Sequence, residues 1–314
     1  MVMTRVHGVE RVERAGRGGP WGAAGVFTAV AFVAAGALGA VQPATGVPAE
    51  VVQLTQFGPA AGVGAVALYR WRRTRELLRG GGGRGREGRG RGRGGGRAAA
   101  LLGSAVLIVA LTVIAYGAFR GGVGFTPPGA LHHPFVLIAA AQLVGACGEE
   151  IGWRCFLQPL LRTRFGTIIS SVLVGSAWGA WHVPVFAQAP AYAAGFLVAT
   201  VAMSVVLGVA LDGTGGPHRL LLAGGFHTLV NLGLLLFMDE ESGAVTPMLC
   251  FGLSCLVVAL AWAARSASAP APALVPAPAP ALVPAPAPAP KPARAAEPVP
   301  ASEAGSAPTT LHGT

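Results

Sequence analysis

Residues 134–158 read PFVLIAAAQLVGACGEEIGWRCFLQ, and this stretch decides the fold because it is apolar over the length of a membrane-crossing helix. At 1.5 Å of rise per residue it exceeds the roughly 30 Å of hydrocarbon in a bilayer. It nevertheless contains Glu149, Glu150 and Arg154. A charge at the centre of a bilayer costs about 2.5–3.5 kcal/mol on insertion scales, so these residues indicate a functional site inside the membrane.

Apolar segments of similar length recur along the 314 residues. Charged residues make up only 11% of the chain and apolar residues 53%, and the mean hydropathy is +0.58, whereas soluble domains are about 25% charged. The pattern predicts an all-α fold, a polytopic transmembrane helical bundle of about eight helices. The expected spans are residues 21–41, 52–68, 98–118, 134–158, 167–186, 192–211, 220–237 and 247–264.

Positive charge is distributed unevenly along the chain, whose formal net charge is +10. Eleven arginines lie between Arg70 and Arg97, directly between two predicted spans. Because cytoplasmic loops of membrane proteins carry an excess of Lys and Arg, we expect this loop and both termini to be cytoplasmic. That leaves only Arg120, of 23 Lys and Arg residues, on the outer side. The Gly, Ala and Arg bias favours a bacterial plasma membrane as the location.

The predicted organisation is one membrane domain with basic or low-complexity flanks. Its parts are a basic cytoplasmic N-terminus (1–20), two helices (21–69), a Gly/Arg-rich cytoplasmic loop (70–97), the remaining helices (98–265) and a disordered Pro/Ala-rich tail (266–314). The first apolar segment follows a basic leader but exceeds the usual 7–15 residues of a signal-peptide core, so an uncleaved anchor is favoured. The position of the Gly/Arg-rich loop beside the membrane indicates that it binds membrane lipid and not nucleic acid.

The charged group in residues 134–158 divides into two faces. Glu150 and Arg154 are four residues apart and can pair along one side of a helix, whereas Glu149 points about 100° away. Pairing of Glu150 with Arg154 offsets part of the free-energy cost of burying the two charges. The pair is therefore interpreted as structural. Glu149 has no local partner of this kind, which suits a general base or a general acid.

Two further polar pairs occur at the spacing of one helical turn. Trp178 and His182 form the first, and His227 and Asn231 form the second. Histidine and asparagine together can donate two hydrogen bonds to a developing oxyanion, as acyl-transfer chemistry requires. The alternative for each pair is a purely structural hydrogen bond between membrane helices.

Together the three patterns resemble the CAAX protease and bacteriocin-processing family of intramembrane proteases, also called the CPBP or Abi family. The family's motifs are Glu-Glu-x-x-x-Arg, Phe-x-x-x-His and His-x-x-x-Asn on three transmembrane helices, and the order and spacing agree. Trp178 stands where phenylalanine is usual, which keeps a large aromatic ring beside the histidine. The resemblance covers about residues 134–237, a third of the chain.

The resemblance implies an intramembrane endopeptidase that cleaves a membrane-associated protein or peptide, with lipidated proteins and peptide leaders among the candidates. It implies that Glu149 activates the hydrolytic water, and that His182 assists it. It also implies an oxyanion held by His227 and Asn231. The residues expected to support the site structurally are Glu150, Arg154 and Trp178.

A metal ion is an open question at this site. Glu149, His182 and His227 could supply three ligands to Zn²⁺ and leave a fourth position for water. The family is commonly labelled as metalloproteases, yet the eukaryotic members it resembles are better described as glutamate-dependent. No His-Glu-x-x-His motif is present in the sequence. We favour a metal-free mechanism and keep zinc as the alternative.

Two other functional classes remain as alternatives. The first is a non-catalytic membrane scaffold or bacteriocin-immunity protein, because the family includes members with such assignments. The second is a proton-coupled transporter that uses Glu149 and the histidines as a relay.

Counting the rise per residue places Glu149 about 14 Å and His227 about 12 Å from the cytoplasmic ends of their segments, with His182 deeper at about 22 Å.

Overall fold

The computed structural model describes residues 20–80, 92–238 and 243–267, and all regular structure in these ranges is helical. The α-helices are α1 (Pro20–Thr45), α2 (Gly58–Arg79), α3 (Gly92–Arg120), α4 (Phe135–Gly152), α5 (Gln158–Leu161), α6 (Thr167–Trp181), α7 (Pro190–Ala210), α8 (Gly216–Phe237) and α9 (Val245–Ala267). A π-helical turn (Trp153–Leu157) joins α4 to α5, and 3₁₀ turns cover Leu54–Phe57, Pro128–Ala130 and Val183–Ala187. The predicted helical bundle is therefore confirmed.

In the part of the chain that the structure describes, six helices are long and apolar enough to cross a membrane, which indicates an integral membrane protein. They are Pro20–Thr45, Gly95–Arg120, Phe135–Leu161, Pro190–Ala210, Gly216–Phe237 and Val245–Ala267. The other two predicted spans are helical but differ from the prediction in length or composition.

Helix α6 is shorter than the predicted span 167–186. It has 15 residues, or about 22 Å of rise, which falls short of a ~30 Å hydrocarbon core. The helix ends at Trp181 because His182 leaves the helical region, with φ −78° and ψ 62°. Pro184 follows and cannot donate the hydrogen bond that a continuing helix needs. His182 therefore lies at the end of a helix rather than inside one.

Helix α2 begins later than the predicted span 52–68 and continues beyond it. The backbone at Arg70 is non-helical (φ −134°, ψ 37°), which bends the helix, and the helix then continues through a basic segment to Arg79. Since α3 begins at Gly92, the interval between the two helices is shorter than the predicted loop 70–97. The central part of that loop (81–91), the basic N-terminus (1–19) and the Pro/Ala-rich tail from residue 268 lie outside the described residues.

One end of the bundle gathers the arginine-rich helix termini, and we call it the basic end. Arg97 near the start of α3 donates to the carbonyl oxygen of Val209 in the last turn of α7 and to that of Asp212 just after it. Arg162 after α5 forms an ion pair with Asp212 at 3.1 Å. These contacts bring the start of α3 and the connections around residues 162 and 212 to the same side of the molecule.

The opposite end of the bundle, which we call the loop end, gathers the long connections. The backbone N–H of Thr126, between α3 and α4, donates to the carbonyl oxygen of Leu236 at 2.8 Å. His132 in the same connection lies 3.4 Å from Glu50, in the connection between α1 and α2. The loop end therefore includes residues 46–53 and 121–134, together with the end of α8.

Small residues allow the helices to approach closely beside the acidic pair. On α4, Gly145 packs against Gln56 and Gly148 packs against Phe57, and neither position leaves room for a side chain. Close backbone approach at small residues is the usual way in which membrane helices pack. It holds the segment before α2 directly against the part of α4 that carries Glu149.

Candidate active site

A single cavity of about 610 Å³ reaches the predicted site. The predicted residues that line it come from α4, α8 and the end of α6, and they are Glu149, Trp178, His182, His227 and Asn231. Glu150 and Arg154 lie behind this surface, with 0% and 1% of their area exposed. The structure therefore brings the three sequence motifs together around one space.

Glu149 is held by the unusual residue of the second motif. The indole Nε1–H of Trp178 donates to Oε2 of Glu149 at 2.8 Å, and Glu149 is only 2% exposed. An indole N–H can only donate, so this bond restrains one oxygen of the carboxylate. A phenylalanine at this position would fill similar space but could not form the bond.

His182 presents a defined nitrogen to the cavity. Its Nδ1 lies 2.9 Å from the carbonyl oxygen of Trp178, and because a carbonyl can only accept, Nδ1 carries the proton. The neutral ring then has its lone pair on Nε2. Aromatic rings pack edge-on against the imidazole, with centroid distances of 4.9 Å to Trp181 and 4.8 Å to Phe196. These contacts fix the ring and leave Nε2 as a hydrogen-bond acceptor.

His227 is tied to the second acid of the pair. Its Nδ1 lies 3.1 Å from Oε1 of Glu150, so Nδ1–H donates to the carboxylate. In the neutral ring Nε2 is then an acceptor, and only the imidazolium form can donate from Nε2 to an oxyanion. The carboxylate of Glu150 is placed to balance that positive charge. Glu150 therefore contacts the predicted oxyanion residue directly, which the sequence motifs did not indicate.

Asn231 contacts a residue that the sequence reasoning missed. Its Nδ2 donates to Oε1 of Gln142 at 3.2 Å, and Gln142 also lines the cavity. This bond uses one of the two N–H groups of the Asn231 amide and leaves the other for a ligand. Gln142 lies seven residues before Glu149, a spacing that places both on one face of a helix. That spacing was the available signal.

Gln56 is a second residue that the sequence reasoning missed. It lines the cavity at 6% exposure, and among the described residues its Oε1 has no hydrogen-bond partner. The irregular segment before it is fixed by the amide of Gln42, which donates to the carbonyl oxygen of Val52 and accepts from the N–H of Leu54, both at 2.9 Å. The motif spacings gave no signal for a residue in this segment.

The predicted pair of Glu150 and Arg154 is confirmed. Nε of Arg154 lies 3.2 Å from Oε2 of Glu150. The guanidinium also donates to the hydroxyl of Ser204 on α7 at 3.3 Å, and it lies 4.9 Å from the ring centroid of Trp178 on α6. Ser204 in turn donates to the carbonyl oxygen of Ser171 on α6 at 2.6 Å. The ion pair thus connects three helices behind the cavity.

Arg154 belongs to the π-helical turn Trp153–Leu157 that follows α4. Single π turns inside α-helices occur frequently at functional sites. The turn begins three residues after Glu150, so the change in helical pitch falls between the acidic pair and the rest of the segment. It sets the direction from which the guanidinium returns to Glu150.

The candidate zinc ligands do not form a metal-binding group in this arrangement. Among the described residues, no group of three or more His, Cys, Asp or Glu side chains is placed to hold a metal ion. One oxygen of Glu149 accepts from Trp178, and His182 and His227 each use Nδ1 within the protein. We therefore derive no step through a metal, and whether one is required stays a prediction.

Comparison with known families gives a match over the segment that carries the site. Residues 131–233 match the family described as type II CAAX prenyl endopeptidase Rce1-like. All of the predicted site residues, from Glu149 to Asn231, lie inside this segment. The resemblance drawn from the three motifs is confirmed, and it supports an intramembrane protease-like function.

Curated relatives show the same similarity at low identity. The chain is 24% identical over 177 residues to CAAX prenyl protease 2 of Methanococcus maripaludis, which covers 50% of this chain and 62% of that protein. It is 23% identical over 157 residues to lysostaphin resistance protein A of Staphylococcus aureus strain MRSA252, which covers 50% of this chain and 37% of that protein. The chain therefore spans less than two thirds of the length of these relatives.

Proposed function

We propose that this protein is an intramembrane endopeptidase. The premise is that residues 131–233 match the Rce1-like CAAX prenyl endopeptidase family. The protein would hydrolyse a peptide bond of a membrane-associated protein or peptide. One observation carries the proposal: the same cavity is lined by Glu149, His182, His227 and Asn231, which come from three separate parts of the chain. Acid, base and amide groups are the components that peptide hydrolysis requires.

Glu149 takes the role of general base. Its carboxylate accepts a proton from a water molecule, and the water oxygen forms a bond to the carbonyl carbon of the substrate. When the tetrahedral intermediate collapses, the C–N bond breaks and the proton passes from Glu149 to the leaving amine. The Trp178 indole restrains one carboxylate oxygen. Because this bond already restricts the carboxylate of Glu149, less conformational entropy is lost when the transition state forms.

His227 and Asn231 donate hydrogen bonds to the oxygen of the reacting carbonyl. Asn231 offers the N–H that it does not donate to Gln142, and the imidazolium form of His227 offers Nε2–H. Donors aimed at the developing oxyanion are commonly a large contribution to such catalysis. His182 accepts a hydrogen bond at Nε2 and helps to orient the attacking water.

The substrate is a peptide segment that enters the cavity in an extended form. The volume of about 610 Å³ lies within the range of about 300–1,000 Å³ that is typical of ligand pockets. Lipidated proteins and peptide leaders remain the candidate substrate classes. Membrane lipid contacts the apolar outer surfaces of the helices.

Cleavage assays on the purified protein in nanodiscs test this function. Wild type, Glu149→Ala and His227→Ala are compared on a library of fluorogenic and lipid-anchored peptides, with and without chelator. We expect wild type to cleave at least one lipid-anchored peptide, both variants to lose cleavage, and chelator to have no effect. Activity that chelator removes and zinc restores would instead establish the metal-dependent alternative.

Inactive wild type that folds as well as its variants would favour the non-catalytic alternative. A resistance role would then be the model, as the name of the S. aureus relative indicates. Proton-coupled uptake into sealed vesicles that depends on Glu149 would favour the transport alternative. Circular dichroism and size-exclusion profiles of all three proteins provide the control for folding.

A further inference from the structure

The cavity reaches the loop end of the bundle. Its lining there includes Arg120 at the end of α3 and three residues of the connections, which are Gln53, Phe125 and Thr126. All four are exposed. By contrast, none of the described residues 161–167 or 210–219, which belong to the basic end, lines the cavity. The cavity therefore has a mouth at one end of the bundle only.

The structure closes the route from Glu149 to the basic end with packed aromatic rings. Phe27 of α1 packs against Trp153 and Phe156 beyond the acidic pair, with ring centroids 5.3 Å and 5.2 Å apart. All three side chains are at most 1% exposed. Arg154, which forms the buried ion pair with Glu150, belongs to the same π-helical turn as Trp153 and Phe156. Water and substrate consequently have their path through the loop end.

The two ends of the bundle also differ in charge. Arginines at the basic end lie at helix termini and in connections, and they are Arg79, Arg97, Arg162, Arg164, Arg219 and Arg265. At the loop end the described residues include a single arginine, Arg120, together with the acidic Glu50. Since Lys and Arg mark the cytoplasmic side of membrane proteins, the basic end faces the cytoplasm.

We propose that the cavity opens on the extracytoplasmic side of the membrane, opposite the basic end. Resting on the proposed function, this assigns the substrates to polypeptide segments that are exposed on the extracytoplasmic face, such as tails or connections of exported and membrane-anchored proteins. Glu149 is nearer to the cytoplasmic end of its segment, but this is consistent with the assignment. Packed side chains fill the space between Glu149 and the cytoplasmic end of α5, whereas the cavity connects Glu149 to the loop end.

The depth of the site adds a requirement on the substrate. Glu149 lies 14 residues beyond the start of α4 at Phe135, or about 21 Å of helical rise. An extended peptide spans about 3.3–3.6 Å per residue. The substrate therefore needs about six unfolded residues between its cleaved bond and the first folded domain or membrane surface at the loop end.

Thiol labelling of the full chain in intact cells tests the direction of access without requiring any activity. Gln53→Cys and Thr126→Cys place a thiol at the mouth, and Thr163→Cys places one at the basic end, where Thr163 is also exposed. Wild type measures the background from the native cysteines, which are buried or half-buried. A membrane-impermeant maleimide is applied to spheroplasts before and after permeabilisation.

We expect the two mouth thiols to react in intact spheroplasts at least about tenfold faster than Thr163→Cys, because reactivity follows exposure to the reagent. After permeabilisation all three should react. Faster labelling of Thr163→Cys in intact cells would overturn the proposal, as would equal labelling of both ends. Mouth thiols that stay unreactive after permeabilisation would show that no mouth exists there.

A second measurement addresses the route of the substrate. In permeabilised membranes, a bulky maleimide on Gln53→Cys should reduce cleavage of a lipid-anchored peptide, whereas the same reagent on Thr163→Cys should leave it unchanged. Complete labelling of Gln53→Cys without loss of cleavage would overturn the route. If wild type cleaves nothing, the proposed protease function fails, while the labelling pattern still decides which side the cavity faces.

Discussion

Glu149 and Glu150 are neighbours in the sequence but belong to two different regions of the molecule. Glu149 lines the cavity and accepts one hydrogen bond from an indole. Glu150 is fully buried and contacts both Arg154 and His227. The first region is a cavity that opens to solvent, and the second, which we call the buried layer, is a buried group of charged side chains that connects three helices.

The difference shows how two neighbouring residues of a membrane helix can have different surroundings, one carboxylate lining a cavity and the other forming buried ion pairs. A rotation of about 100° per residue places the two carboxylates on different faces. The face with Glu149 borders the cavity of about 610 Å³. The other face compensates its charge with an arginine, because an unpaired buried charge would be costly. Substitutions on the two faces should therefore change different measured quantities.

The largest expected effect is on catalysis at the cavity face. Glu149→Gln keeps the size of the side chain and an acceptor for Trp178 but removes the base, so kcat should fall by about 10²–10⁴. The thermal unfolding midpoint should stay close to that of wild type. Cleavage of a lipid-anchored peptide and differential scanning fluorimetry measure the two quantities. A variant that retains wild-type kcat would remove Glu149 from the mechanism.

The largest expected effect on stability lies at the buried layer. Arg154→Met removes the partner of a fully buried carboxylate, and breaking such a pair costs about 3–5 kcal/mol in unfolding free energy. Unfolding in nanodiscs or mixed micelles measures this change. Arg162→Met is the matched control, because its ion pair with Asp212 is about one third exposed and should contribute at most about 1 kcal/mol. Equal losses in both variants would contradict the special role of the buried layer.

Much of the fold and part of this comparison could be predicted from the sequence. Hydropathy identifies long membrane helices because each segment must satisfy its own backbone hydrogen bonds in lipid. The i, i+4 spacing of Glu150 and Arg154 predicts their pairing, since that distance is fixed by helix geometry alone. The two faces of the acidic pair follow from the same geometry.

Contacts between distant segments could not be predicted in this way. The hydrogen bond from Trp178 to Glu149 and the one from His227 to Glu150 depend on how α4, α6 and α8 are rotated against each other. Gln56 reaches the cavity only because a glycine on α4 lets an irregular segment approach. The early end of α6 depends on local backbone geometry at His182, which hydropathy does not report.

A smaller effect is expected from the oxyanion side of the cavity. Asn231→Ala removes a neutral donor, and the loss of one such donor commonly lowers kcat by about 10²–10³. Gln142→Leu leaves the asparagine in place but removes its partner, so kcat should fall less than in Asn231→Ala. Steady-state kinetics of the two variants on one substrate compare them directly. A larger loss in Gln142→Leu would mean that Gln142 itself contacts the substrate.

The smallest expected effect tests the residue that joins the two regions. Trp178→Phe keeps an aromatic ring near Arg154 but removes the N–H that holds Glu149. Hydrogen bonds to charged groups contribute about 1.5–3 kcal/mol, so kcat should fall by about 10- to 100-fold.

The matched control for that variant is Trp181→Phe, which has no bond to Glu149 because the Trp181 indole points to the carbonyl oxygen of Ala31 at 3.4 Å. Its kcat should change little, since the ring that packs against His182 is retained in part. If Trp178→Phe loses unfolding free energy without losing kcat, Trp178 belongs to the buried layer alone. If Trp178→Phe lowers kcat without lowering the unfolding free energy, the indole positions Glu149. Trp178 would then act on the cavity region although it also contacts Arg154 in the buried layer.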